Sequence, residues 1–102
     1  MEKRAFERIP ADIKVRFNCN STEFSGTIMN LSEKGMYINT EESWFPFDVQ
    51  FEIPVALEEE TLNVPVNLNR IILSPDSNGI GVELISPPEK YLEFISNLKV
   101  AL

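Results

Sequence analysis

A small antiparallel β-barrel of six strands, capped by one C-terminal helix, is the architecture this residue pattern calls for. Three observations lead there. Apolar and polar side chains alternate with a period of two along several stretches, the spacing of a sheet with one wet face. Turn-forming clusters divide the chain into six strand-like stretches at roughly 8–14-residue spacing, the rhythm of a small barrel. The period then changes once, near the C-terminus, to that of a helix. The chain has 102 residues, 43% hydrophobic and 25% charged, which suits a single domain with one modest core.

The elements follow in order. Residues 1–10 carry no periodicity and end at Pro10, so they read as a flexible basic arm; residues 11–86 read as the barrel and 87–102 as the helix. From Asp12, the apolar series Ile13, Val15, Phe17, Cys19 alternates with Lys14, Arg16 and Asn18 to make the first strand. Asn20, Ser21 and Thr22 supply a turn. Phe24 to Leu31 is the second strand, with Gly26 marking a bulge or a close approach. Ser32 to Gly35 turns the chain into a third strand that opens at Met36. Glu41 to Phe47 is a loop whose Trp44, Phe45 and Phe47 suit a barrel-end plug better than an exposed contact patch. Val49 to Val55 and Leu62 to Leu68 alternate as the fourth and fifth strands, the latter running on to Leu73. Pro54 and Pro65 cannot donate to a ladder, so they belong at edges or bulges. Ser74 to Gly79 is dense in turn residues, and Ile80 to Ile85 is the sixth strand. Leu92, Ile95, Leu98 and Leu102 then recur at helical spacing, supported by Tyr91 and Phe94. Ser86-Pro87-Pro88-Glu89 reads as a capping box at the start of that helix.

Composition excludes several functions. The net charge of −7 opposes a general DNA or RNA binder, which needs a broad basic face. There is no histidine, so Ser/His and Cys/His catalysis and His-bearing metal sites drop out. Cys19 is the sole cysteine, which removes intrachain disulfides and Cys-based zinc sites and fits a reducing compartment. Glu58, Glu59 and Glu60 point in alternating directions and suit a solvated turn rather than a metal site. No matched acid–base pair remains for an enzyme. The amino terminus is too charged for a signal peptide, and no apolar run approaches a membrane span, so a cytoplasmic location is expected. The charge is also unevenly placed: all but one of the four arginines fall within the first sixteen residues of an otherwise acidic chain.

Two motifs carry chemistry. Arg4 and Arg8 are four residues apart and preceded by Lys3; two guanidiniums so spaced can act as a forked anion clamp, and their faces can stack on a purine. Asn30-Leu31-Ser32-Glu33-Lys34-Gly35 closes the second strand. Strand alternation puts Asn30 and Ser32 on the outer wall and Leu31 in the core, while Gly35 can take the positive φ of a tight turn. Each motif alone is weak, a solvated charge pair and a hairpin turn. Together, in this order, they are expected roughly 0.005 times by chance from this composition.

Arg4-x-x-x-Arg8 followed by Asn30-x-Ser32-x-x-Gly35 resembles the PilZ domain, the bacterial receptor module for cyclic di-GMP. The resemblance spans the chain, with Arg8-Ile9-Pro10 leading into the first strand and Gly79-Ile80-Gly81-Val82-Glu83-Leu84 similar to the family's sixth strand. Asn30 is a permitted variant of the commoner aspartate, and Leu84 stands where phenylalanine is usual. The resemblance implies a PilZ-like split barrel whose arm folds over one outer face to grip the dinucleotide. It implies contacts from Arg4, Arg8, Asn30, Ser32 and Gly35, with Lys3 and Arg70 as further candidates. It also implies a downstream protein partner, and no metal or catalytic cofactor. Leu73 stands near the place where family members often carry an aromatic or basic side chain that adds to the guanine platform. The competing expectation is a PilZ-like interaction module that does not bind cyclic di-GMP.

Overall fold

In the computed structural model, the described residues are 8–19, 21–40, 50–57, 59–74 and 78–101. Six strands and one helix are formed, in the order β1 (Ile9–Cys19), β2 (Thr22–Leu31), β3 (Gly35–Thr40), β4 (Gln50–Ala56), β5 (Thr61–Leu73), β6 (Asn78–Leu84) and α1 (Glu89–Ala101). All neighbours are antiparallel, in the spatial order β1-β2-β3-β6-β5-β4. The two outer strands, β1 and β4, lie against each other, so the sheet curls into a nearly closed barrel. Phe17 of β1 bridges that seam, stacking on Phe24 of β2 at 5.7 Å and on Phe51 of β4 at 5.3 Å. Offset ring pairs of this kind add to the burial itself.

The inward residues form one apolar core. Ile28, Ile38, Ile53, Val64, Val66 and Ile80 are fully shielded from solvent. Cys19 sits among them, and burial pushes its thiol up, so it behaves as a small inert apolar side chain. Leu84 packs in the same core. Gly26 is a close approach, not a bulge: a Cβ there would meet the Asn39 carbonyl oxygen at 2.7 Å. Pro54 lies on β4, an edge of the hydrogen-bonded sheet. Pro65 lies at the end of the β5–β6 ladder, where only its carbonyl is used, accepting from the Ile85 N–H at 2.9 Å.

Three local expectations are corrected. β1 begins at Ile9, which is buried, so Ile9 and Pro10 are part of the barrel and not of the arm. The capping box does not form: Pro88 accepts the first helical bonds, from Tyr91 and Leu92, while Ser86 adopts a left-handed φ of 46° two residues earlier. The helix also buries a face rotated from the one expected. Tyr91 and Ile95 are buried, Phe94 and Leu98 pack beside them, and Leu92 is exposed. Lys3, Arg4, Trp44, Phe45, Phe47 and Leu102 lie outside the described residues. Among those described, no helix is long and apolar enough to cross a membrane.

Candidate functional site

Two β-bulges aim the site. Ile28 and Leu31 are both fully buried although they are three residues apart, which a regular strand forbids because its side chains alternate. The register against β3 slips between Ile28 and Asn30, so Met29 is extra. That slip returns Leu31 to the core and turns Asn30 outward. β5 repeats the device: its register against β6 slips between Leu68 and Arg70, leaving Asn69 extra and Arg70 exposed on the outer wall. Bulges are a recurrent means of re-aiming side chains beside functional sites. The apolar spacing of three inside each strand was the signal in the sequence that could have located them.

After these slips, one cross-strand row runs over the barrel's outer face: Pro10, Asn30, Tyr37, Gly81 and Arg70, each opposite the next. It runs along an open concavity of ≈ 880 Å³ whose lining also includes the cations Arg8 and Lys34 and the acid Glu83. Arg8 Nη1 donates to Asn30 Oδ1 at 2.7 Å, joining two residues that the sequence separates by twenty-two positions. Thus Arg8, Asn30, Ser32, Gly35 and Arg70, all singled out in the sequence, line one concavity, and Tyr37 and Asn69, which were not, line it with them.

The turn from Ser32 to Gly35 departs from expectation in two respects. Ser32 is only 6% exposed, and its Oγ accepts from the backbone N–H of Lys34 at 3.1 Å and of Gly35 at 3.2 Å. The hydroxyl therefore folds inward to hold the turn, as short polar side chains do, instead of lining the outer wall beside Asn30. Gly35 has no positive φ. What it needs is space: a Cβ would stand 2.7 Å from the Val82 carbonyl oxygen of β6. The backbone completes the lock, with Ser32 N–H donating to Gly35 O and Leu84 N–H to Lys34 O, both at 2.8 Å.

The helix holds this turn from beneath. Tyr91, fully buried, donates its hydroxyl to the Ser32 carbonyl at 2.8 Å. Burial, reinforced by the Glu33 carboxylate, pushes the Tyr91 phenol far above the ordinary tyrosine value. The unfolded chain gives up that proton near pH 10 while the folded protein keeps it, so the associated stability is intact below about pH 10 and declines as pH rises above it. Tyr91→Phe is expected to cost about 1–3 kcal/mol at neutral pH, because the buried Ser32 carbonyl loses its donor, and to flatten the alkaline decline. Denaturant melts of both proteins from pH 8 to 11.5 check this; parallel pH slopes count against it. A second helix tie among the described residues, Lys90 to Glu60 at 2.7 Å, is exposed, and that carboxylate raises the lysine's pKa. Among the described residues, no group of acids and cysteine could hold a metal ion.

A family model described as the PilZ domain matches residues 2–98. The chain belongs to the PilZ family. The PilZ fold is recovered in solved structures as well. The chain superposes on the c-di-GMP-bound PilZ domain of YcgR from Escherichia coli with a TM-score of 0.76 at 12% identity, covering 99% of this chain and 92% of that one. For the K. pneumonia MrkH–c-di-GMP complex the TM-score is 0.71 at 13% identity, covering 98% and 52%. For the Bacillus subtilis inhibitor of motility MotI/DgrA it is 0.70 at 16%, covering 93% and 48%. The PilZ chain described here therefore spans about half the length of two of these three proteins. No curated protein sequence matches it significantly.

Proposed function

We propose that this PilZ domain is a receptor for cyclic di-GMP, working in the cytoplasm and without catalysis. The observation that carries the reading is the Arg8–Asn30 bond beside the concavity, which joins a residue of each sequence motif. The c-di-GMP held by the YcgR and MrkH structures supports it.

The chemistry fits. The ligand carries two phosphodiester charges, and the chain's net charge of −7 opposes them at long range. Binding must then rest on short-range contacts with the cations at this face. Arg8 is exposed and offers a bidentate fork for phosphate; Arg4 is proposed to add a second fork from the arm, with Lys3 beside it. Asn30 spends its Oδ1 on Arg8, and its Nδ2 supplies donors suited to the O6 and N7 acceptors of guanine. Ser32 and Gly35 act by shaping the turn. Ordering of the arm over the ligand changes the surface offered to a downstream protein, and that change is the signal.

Calorimetric titration of the whole chain with cyclic di-GMP, beside GTP and cyclic AMP, tests the reading. Saturable heat with cyclic di-GMP alone is the expected result. No heat at tens of micromolar ligand overturns it and leaves the domain as a protein-interaction module. NMR order parameters for residues 1–8 with and without ligand test the arm; equal rigidity in both states removes the proposed signal.

A further inference from the structure

Both outward positions at the centre of β6 are glycine, and each is covered by a side chain from a neighbouring strand. Ile80 and Val82 face the core, so Gly79 and Gly81 face out. Over Gly79 lies the far end of the Tyr37 ring: a Cβ there would meet Tyr37 Oη at 2.5 Å and its Cε1 and Cζ at 2.7 Å. Over Gly81 runs Arg70, whose Cγ and Nε would stand 3.3 Å and 3.4 Å from a Cβ. Tyr37 pairs with Gly81 yet reaches back over Gly79, so its ring is laid across β6 instead of standing out from the sheet. One side rests on the strand and the other borders the concavity, with Ile72, opposite Gly79, in the same lining.

Tyr37 and Ile72 thus set an aromatic ring and an apolar side chain into an otherwise largely polar lining that also holds Arg8 and Arg70. An anion without a base engages only the cations. A planar base also covers the ring and removes apolar surface from water. We infer that Tyr37 is the base-stacking residue of this concavity, selecting a nucleobase-bearing anion over a base-free one, and that Gly79 exists to let the ring lie down. The inference rests on the cyclic di-GMP reading and adds the contact that reads the base.

Stacking on an aromatic side chain is lost when the ring is lost, and such contacts change affinity by roughly five- to a hundredfold per base. Titrations with cyclic di-GMP are therefore expected to show Tyr37→Leu weakened about tenfold or more, with Tyr37→Phe recovering to within about threefold of wild type. Gly79→Ala lifts the ring and weakens binding similarly, and the Tyr37→Leu/Gly79→Ala double variant is no weaker than Tyr37→Leu alone. In the wild-type complex, the guanine H8 resonance moves upfield and shows nuclear Overhauser contacts to the Tyr37 ring, a readout that needs no variant to fold. Tyr37→Leu at wild-type affinity, or Phe as weak as Leu, or a complex without those ring contacts, overturns the stacking role; if Arg8→Ala still weakens binding, the receptor reading survives it. A wild type that does not bind cyclic di-GMP overturns both.

Discussion

Arg8→Ala is expected to lower the proposed affinity for cyclic di-GMP at least tenfold while the barrel stays folded. Arg8 is exposed, and its one described bond, to Asn30, is exposed as well, so the fold loses about 1 kcal/mol or less. The ligand loses much more. Hydrogen bonds involving a charged group contribute about 1.5–3 kcal/mol each, and 1.4 kcal/mol is a factor of ten. Losing the guanidinium also leaves an acidic chain to meet a doubly negative ligand with one cation fewer. Arg8→Lys keeps the charge but not the planar fork, so it is expected to recover only part of the loss. Calorimetry paired with a thermal melt separates the two effects. An unchanged dissociation constant in Arg8→Ala would show that the concavity does not grip the ligand through this residue.

Gly35→Ala is the second large effect, and it acts through the backbone. Its methyl would stand 2.7 Å from the Val82 carbonyl, which cannot rotate away as a flexible side chain could. β3 and β6 must move apart where Lys34 O accepts from Leu84 N–H. Overpacking of this kind typically costs about 1–3 kcal/mol, and for a domain of this size that is roughly 5–20 °C in Tm. Because the Ser32 hydroxyl accepts from the Gly35 N–H, the turn is expected to shift too, and the proposed ligand affinity to fall with stability. Gly26→Ala provides the contrast. It makes an equally close contact with the Asn39 carbonyl, but away from the concavity, so it should lower Tm while leaving affinity near wild type. A Gly35→Ala protein that melts with the wild type would show that the strands can spread freely there.

Much of the candidate site was legible because its chemistry is written in residue types that have few other uses in this pattern. Two arginines four apart on an acidic chain, and an amide followed by a hydroxyl and a glycine at a strand end, were singled out together, and the structure places Arg8 of the first beside Asn30 of the second. The roles within it were less legible. Alternation assigned Ser32 to the outer wall because it counts residues and cannot see a hydroxyl turning back to cap its own turn. Gly35 and positive φ go together as a habit of turns, whereas here the glycine answers to a carbonyl forty-seven positions away. Tyr37 passed as one more alternating strand residue, since only the folded sheet shows that its ring reaches past its partner Gly81 to lie over Gly79.

Local patterning determined by itself that the chain forms six strands and a helix, because a period of two or of 3.6 is a property of neighbouring residues. It also determined the charge conflict that forces any anionic ligand onto a few cations. The tertiary structure alone decided which strands meet, where a strand gains an extra residue, and which side chains therefore face out. Asn30 and Arg70 reach the same row because Met29 and Asn69 are squeezed from the ladder, so that Ile28 with Leu31, and Leu68 with Ile71, can all turn toward the core. Burial of those four side chains outweighs two broken registers, and that balance exists only once the barrel has closed around them.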